Sequence, residues 1–379
     1  MQGHNPFPMP WVNGQILTEE GFQEGSLEFD QESIKEITRQ KPKEPMANGL
    51  VLPLFVNAHT HTGDSFIKEG LEGSLEEIMA PPDGLKHQLL EKASDDEILA
   101  GMRQSMERMS DSGISHFVDF REGGVKGTSL LYHAALDSQA TPVAYGRPAG
   151  MEYDKQEIES LLRIVDGIGI SSISDWNISV LEKLSKDAKS SGKGFALHAS
   201  EGVREDVDAI LDLEPDFLVH MIEATDDDLE RCADAGIPIV VCPRSNAFFG
   251  KAPNLSNMLA KGVTLMLGTD NAMLSSPSLF DEMRFIRQMS GEKGNLTSGS
   301  ILRMALNSRK ALKGQSALSL QIGQPSEFLV LEWSCENPEH CIVARTSERD
   351  ISLIARGGRL WVKRRDGLKE ESNWQEGRS

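Results

Sequence analysis

The sequence is short of basic residues. Its 39 Lys and Arg stand against 58 Asp and Glu, a formal net charge of −19. A surface this acidic repels phosphate backbones, so nucleic acid is not an expected partner. Cysteine is scarce too. Cys232, Cys242, Cys335 and Cys341 form no Cys-x-x-Cys pair, which argues against a zinc ribbon and for free, mostly buried thiols. No apolar run is long enough to cross a bilayer. The start, Met1-Gln2-Gly3-His4-Asn5-Pro6, lacks the basic and apolar regions of a secretory signal. The expected setting is therefore the cytoplasm, away from membranes.

What is present begins with Leu50-Val51-Leu52-Pro53-Leu54-Phe55-Val56-Asn57-Ala58-His59-Thr60-His61, an apolar run ending in two histidines. Residues i and i+2 of a strand share a face, so both imidazoles can aim at one point where the strand stops. Imidazole is a common ligand for divalent metals. After this strand come nearly thirty residues without clear periodicity, through Lys86-His87, a length that suggests a lid. A capping box at Ser94-Asp95-Asp96-Glu97 opens a helix with Ile98, Met102, Met106 and Met109 at helical spacing.

The strand at 114–120 follows, and the unit repeats. Apolar runs at 142–147, 167–171, 194–198, 216–220, 238–242 and 263–270 bring the count to eight. Alternation of strand and helix implies a parallel sheet, and eight units imply a closed (β/α)8 TIM-like barrel. Helices are expected over 279–289 and 298–312. Short strands appear at both ends of the chain: Gly14-Gln15-Ile16-Leu17, Gly25-Ser26-Leu27-Glu28-Phe29, 327–331, 342–344 and 358–362. They are expected to pair in a small β-sandwich. The division reads 1–49 and 315–364 for that β-domain, 50–314 for the barrel, and 365–379 for a disordered, charged tail. Residues 1–10, rich in proline, are expected to be loose.

His59 and His61 end the first strand, His198 the fifth, His220 the sixth and Asp270 the eighth. In a barrel these ends share the face where catalytic groups sit. Any one of them alone is more often a satisfied polar residue than a ligand. Five such placements together are poorly explained by packing.

The set Asn57-Ala58-His59-Thr60-His61, His198-Ala199-Ser200-Glu201, His220, Cys242-Pro243-Arg244-Ser245-Asn246 and Gly268-Thr269-Asp270 resembles the amidohydrolase superfamily. The branch it resembles holds cytosine-deaminase-like enzymes, S-adenosylhomocysteine and adenosine deaminases, and chlorohydrolases. The resemblance covers residues 50–330 and the split β-domain. It implies that His59, His61, His198 and Asp270 bind one divalent metal, zinc or alternatively iron. Such a metal brings a bound water to a pKa of ~7. The resemblance also implies that Asp270 takes that water's proton and passes it to the leaving amine. His220 would orient the hydroxide and stabilise the tetrahedral oxygen, and Glu201 would protonate a ring nitrogen. The bland alternative for Glu201 is a helix N-terminal carboxylate, stabilising by ~0.3–1 kcal/mol. Binuclear members carry a lysine on the fourth strand. Residues 167–174 have none, so one metal is expected.

Arg121, Arg147 and Arg244 follow the second, third and seventh strands and are expected to border the same mouth. They either bind an anionic group of a substrate or pair with acids such as Glu122, Glu152 or Glu201. Lys86 and Asn271 are further candidates for substrate contact. The expected activity is a metal-dependent aminohydrolase releasing ammonia from a small amino-heterocycle, an anionic or phosphorylated purine, pyrimidine or pterin included. The alternatives are hydrolysis of a cyclic amide or C–Cl bond on the same site, and a non-catalytic binding protein. The expected partner is a small molecule, with assembly into a homo-oligomer left open.

Overall fold

A computed structural model describes residues 9–291, 294–314, 317–364 and 367–371. Eight parallel strands close into a barrel. Seven are Phe55–His61, Ile114–Arg121, Thr141–Gly146, Gly167–Ile170, Gly194–Ala199, Phe217–His220 and Ile239–Val241. The eighth is split. Leu265–Leu267 pairs with Ile239–Val241, and Asp270–Asn271 pairs with Thr60 and His61 of the first strand. Between the halves, Gly268 N donates to Val241 O at 3.1 Å and Thr269 N to His59 O at 3.0 Å. A side chain at 268 would put its Cβ 2.7 Å from His59 Cβ, so only glycine lets the eighth strand close on the first.

Alternation along the strands sorts side chains into two cores. Ala58, Val118, Phe120, Tyr145, Phe217, Val219 and Met266 fill the barrel's interior. Phe55, Phe117, Leu197, Leu218 and Leu267 belong to the larger core shared with the helices. Ser94 caps Asp95–Asp111 through its capping box, and Ile98, Met102, Met106 and Met109 are all buried. Leu279–Ser290 and Ser298–Asn307 are helices, the latter continued by a 3-10 turn at Ser308–Ala311. No helix among the described residues is long and apolar enough to cross a membrane.

The two chain ends build one eight-stranded sheet. Its order is Gly367–Glu370, Arg359–Arg364, Ile351–Arg356, Phe328–Leu331, Ala47–Pro53, Trp11–Thr18, Gly21–Phe29, Ile34–Thr38. It has its own core of Val12, Ile16, Leu27, Phe29, Val51, Phe328, Val330 and Leu353.

Four expectations change. The apolar run 50–61 is two strands. Leu50–Pro53 pairs with Phe328–Leu331 in the small sheet, and the barrel strand starts at Phe55. Pro53 has no N–H for a ladder, and the chain changes sheets there. Ile342-Val343-Ala344 lies in a helix, Pro338–Arg345, capped by Asn337 with Pro338 at its first turn. Cys341, Ile342 and Val343 are buried there, so packing overrides their β-branched preference. The segment after His61 contains helices Leu75–Met79 and Leu85–Lys92. In the tail, Gly367–Glu370 pairs with Arg359–Arg364, and Leu368 packs beside the main core with Trp361. Residues 365–366 and 372–379, and residues 1–8, lie outside the described residues.

Candidate metal centre and active site

The strand ends converge as the barrel requires. His198 Nε2 lies 3.2 Å from His59 Nε2 and 3.3 Å from His61 Nε2. Asp270 Oδ1 is 3.3 Å from His59 Nε2 and 3.6 Å from His61 Nε2. Ligands ~2.0–2.1 Å from one tetrahedral ion are separated by roughly 3.3–3.4 Å, so this spacing fits a shared divalent metal. His220 joins them: His59, His198, His220 and Asp270 offer atoms all within 4.8 Å of one another. Five groups thus face one point.

Two of these residues stand in left-handed backbone, His220 at φ 76° and Asp270 at φ 59°. A side chain there costs about 1–2 kcal/mol, and both strands end by turning a functional group into the mouth.

Burial keeps the imidazoles neutral, as metal ligands must be. It pushes His59, His198 and His220 down, and His61 down to about 3. Burial alone would raise Asp270. The His59 hydrogen bond outweighs it and holds the carboxyl well below the usual range. Glu201 goes the other way. Burial, reinforced by the Asp270 charge, raises it to about 8, although a fifth of its side chain still faces the chamber. The two carboxyls are thus pushed in opposite directions, the division that acid–base chemistry uses.

Supporting groups fix the orientations. Ser245 Oγ donates to Asp270 Oδ2 at 2.6 Å. His198 Nδ1 donates to Ile170 O at 2.9 Å, leaving Nε2 as a lone pair. Asn246 Nδ2 approaches Glu201 Oε1 at 3.4 Å and His220 Nδ1 at 3.2 Å. With Asn246 donating to Nδ1, His220 carries its proton on Nε2, 3.4 Å from Glu201 Oε2 and 4.0 Å from Asp270 Oδ2. That makes His220 a donor toward the chamber, in contrast to His198.

The groups open on a chamber of about 390 Å³, roofed by Leu75, Met79 and Pro81 of the segment after the first strand. The candidate substrate residues divide. Lys86, Arg147 and Asn271 line it. Asn271 Nδ2 donates to Asp64 Oδ2 at 2.7 Å. Lys86 Nζ is 2.6 Å from Glu122 Oε1. Among the described residues no acceptor hydrogen-bonds the Arg147 side chain, and the carboxylate oxygen in ion-pair range, Glu122 Oε1, is 3.9 Å away. Arg121 and Arg244 do not line this chamber. Arg121 is buried against Gly63, with Nε donating to Glu122 O at 3.2 Å. Arg244 is consumed by Glu282 at 2.7 Å, Asp281 at 3.6 Å and the Ser276 carbonyl. Arg244 lies on the short α-helix Pro243–Phe248 after the seventh strand.

Sequence reasoning gave no role to Ser245, Asn246 or Asp64, and named Glu122 only as an acid for the rim arginines, which do approach it: Arg121 Nη1 at 3.8 Å and Arg147 Nη2 at 3.9 Å. The first two lie within the quoted Cys242–Asn246 motif. Glu122 follows the second strand, and the rule that flagged polar residues at strand ends applies to it equally.

The model of the amidohydrolase family matches residues 50–326, most of the chain. The protein belongs to the amidohydrolase family. A protein of Archaeoglobus fulgidus named as an aminohydrolase is 32% identical over 352 residues, covering 93% of this chain and 95% of its own. The 5-methylthioadenosine/S-adenosylhomocysteine deaminase of Haloarcula marismortui is 24% identical over 340 residues, covering 79% and 77%. Among solved structures, an adenosine deaminase from Xanthomonas campestris with bound zinc shares the fold at a TM-score of 0.77 and 14% identity, covering 97% of this chain and 96% of that one. This amidohydrolase is a metal-dependent hydrolase acting on carbon–nitrogen bonds.

Proposed function

We propose that this amidohydrolase is a deaminase releasing ammonia from a small amino-heterocycle, with one divalent metal per chain, zinc or iron, held by His59, His61, His198 and Asp270. What supports the reading is the placement of Glu201, which lines the chamber with Oε2 3.4 Å from His220 Nε2 and whose carboxyl burial pushes upward. A neutral aromatic C–NH2 carbon is a poor electrophile until a ring nitrogen is protonated, and Glu201 holds the proton to give. Simple amide hydrolysis has no need of a second acid there.

When bound, the metal supplies Lewis acidity that brings water near neutrality as a nucleophile. The chain's own residues do the rest. Glu201 donates to the ring nitrogen and takes the proton of the added hydroxyl as the amine departs, which restores it. Asp270, ionised and held by Ser245, accepts a proton from the attacking water and delivers it to the departing amine. His220 Nε2–H faces the oxygen that develops charge on the tetrahedral carbon. The segment from Leu75 to Pro81 covers the site and excludes bulk water.

Arg147 favours a substrate with an anionic group. It is a largely buried guanidinium without a hydrogen-bonded acceptor, placed where the 390 Å³ chamber meets a second of about 460 Å³. A carboxylate or phosphate would meet its donors bidentately.

The test is an ammonia-release screen of the zinc- and iron-loaded protein across aminopurines, aminopyrimidines and aminopterins, with and without anionic groups. Ammonia from an anionic member is the expected result. Metal binding with no ammonia, alongside chloride release from a chlorinated ring or opening of a cyclic amide, would sink the deaminase reading.

A further inference from the structure

Glu122 stands one residue past the second barrel strand and is 7% exposed. Its Oε1 is 3.1 Å from His61 Nδ1 and 2.6 Å from Lys86 Nζ. His61 Nδ1 and Glu122 Oε1 are both buried, and beyond these close contacts neither has a hydrogen-bond partner among the described residues. The opposite nitrogen, Nε2, is the one facing His198 and Asp270. Lys86 comes from Leu85–Lys92, in the segment that roofs the chamber, and it also approaches Asp64 Oδ2 at 3.7 Å. One carboxylate oxygen is therefore addressed from two sides, by a group at the metal centre and by the roof.

We propose that Glu122 is a positioning residue that sets the Nδ1–H tautomer and ring plane of His61, and that Lys86 fastens the roofing segment to the same carboxylate. The inference rests on reading His61 as a metal ligand. A ligand imidazole that donates its far N–H to a carboxylate has its lone pair aimed at the ion, and losing that partner lowers metal affinity ~10–100-fold. A carboxylate this buried needs a cation, because an unpaired buried charge is strongly destabilising. Here the nearest cation, Lys86, arrives on the segment that roofs the chamber, with Arg121 and Arg147 farther off at 3.8 and 3.9 Å. Glu122 acts through His61 and has no assigned contact with the reacting atoms.

The experiment measures zinc affinity by competition with a chromophoric chelator, the melting temperature of the metal-free chain, and proteolysis within residues 62–94. The proteins are wild type, Glu122→Gln, Lys86→Met, the double variant Glu122→Leu/Lys86→Met, and His61→Ala. The double variant leaves no lone lysine buried. It is expected to bind zinc ~10–100-fold more weakly while its metal-free melting temperature stays close to that of wild type. Glu122→Gln, which keeps an acceptor oxygen, is expected to fall between. Lys86→Met is expected to keep zinc affinity and to be cut faster within 62–94. Wild-type zinc affinity in the double variant, with His61→Ala weakened, overturns this inference alone. So does a loss in Lys86→Met as large as in the double variant. A His61→Ala chain that binds zinc as wild type does overturns the ligand reading and this inference together.

Discussion

Ser245 Oγ donates to Asp270 Oδ2 at 2.6 Å, tying the residue that follows the seventh strand to the carboxylate that ends the eighth. Asp270 Oδ1 faces His59 and His61, so Ser245 holds the oxygen left over for proton transfer. A hydrogen bond to a charged group is worth ~1.5–3 kcal/mol. Ser245→Ala is expected to lower kcat/KM by ~10–100-fold, the same energy read as a rate. Metal content and melting temperature should stay near wild type. Equal activity in the variant would show that the ligating oxygen alone orients Asp270.

Five groups converge where four ligands are assigned, and His61 and His220 are the two that exchange roles between readings. Nε2 of His61 is 3.3 Å from His198 Nε2, whereas His220 Nε2 points at Glu201 and carries a proton. His61→Ala should lose most of its zinc in dialysis against a chelator. His220→Ala should keep its zinc and lose ~10²–10³ in kcat, as removal of an oxyanion donor does. The reverse pattern in metal analysis would exchange the two assignments.

The raised Glu201 sets a pH limit. An acid that must give a proton works only while it holds one. Its pKa is raised to about 8 by burial and the Asp270 charge, and a nearby metal cation would draw it down from there. The rate should therefore fall on an alkaline limb at or below about 8, and Glu201→Gln should remove that limb along with most of kcat. A pH–rate profile flat to pH 9 in wild type would remove Glu201 as the acid.

His59, His61, His198, His220 and Asp270 were legible in the sequence because each ends an apolar run, and parallel strands bring such ends to one face. The contacts of Glu122 and Asn246 with the site were not, because their partners are far along the chain. Glu122 meets His61 and Lys86, and Asn246 meets His220 and Glu201, across different strands. The barrel's count of eight followed from the repeat. The transfer of the chain between sheets at Pro53 did not, because Leu50–Phe55 is apolar on both sides of it and each half is buried in its own sheet. Ile342-Val343-Ala344 reads as strand from its branched side chains, yet its environment is a helix-packed core. The three arginines had the same sequence signature, a basic residue after a strand. Only their neighbours separate them.

That separation can be measured. Arg147→Met is expected to raise KM for an anionic substrate by ~10–100-fold, the worth of a charged hydrogen bond, while leaving a neutral analogue unchanged. Arg244→Met should do something else. Glu282 is fully buried and is already raised to about 7 by burial with Arg244 beside it. Removing its partner should destabilise the fold by ~3–5 kcal/mol with little change in KM. The pH dependence has a defined sign. A carboxyl whose folded pKa lies above its unfolded value favours the folded state when protonated, so its stabilising contribution is complete below about 4.5 and is lost as pH rises through about 7 and above. Arg244→Met should thus lose more stability relative to wild type at pH 8 than at pH 5.5 in urea titrations, and Arg244→Met/Glu282→Leu should recover part of it. A KM effect in Arg244→Met as large as that in Arg147→Met, at unchanged stability, would return Arg244 to the substrate side of the mouth.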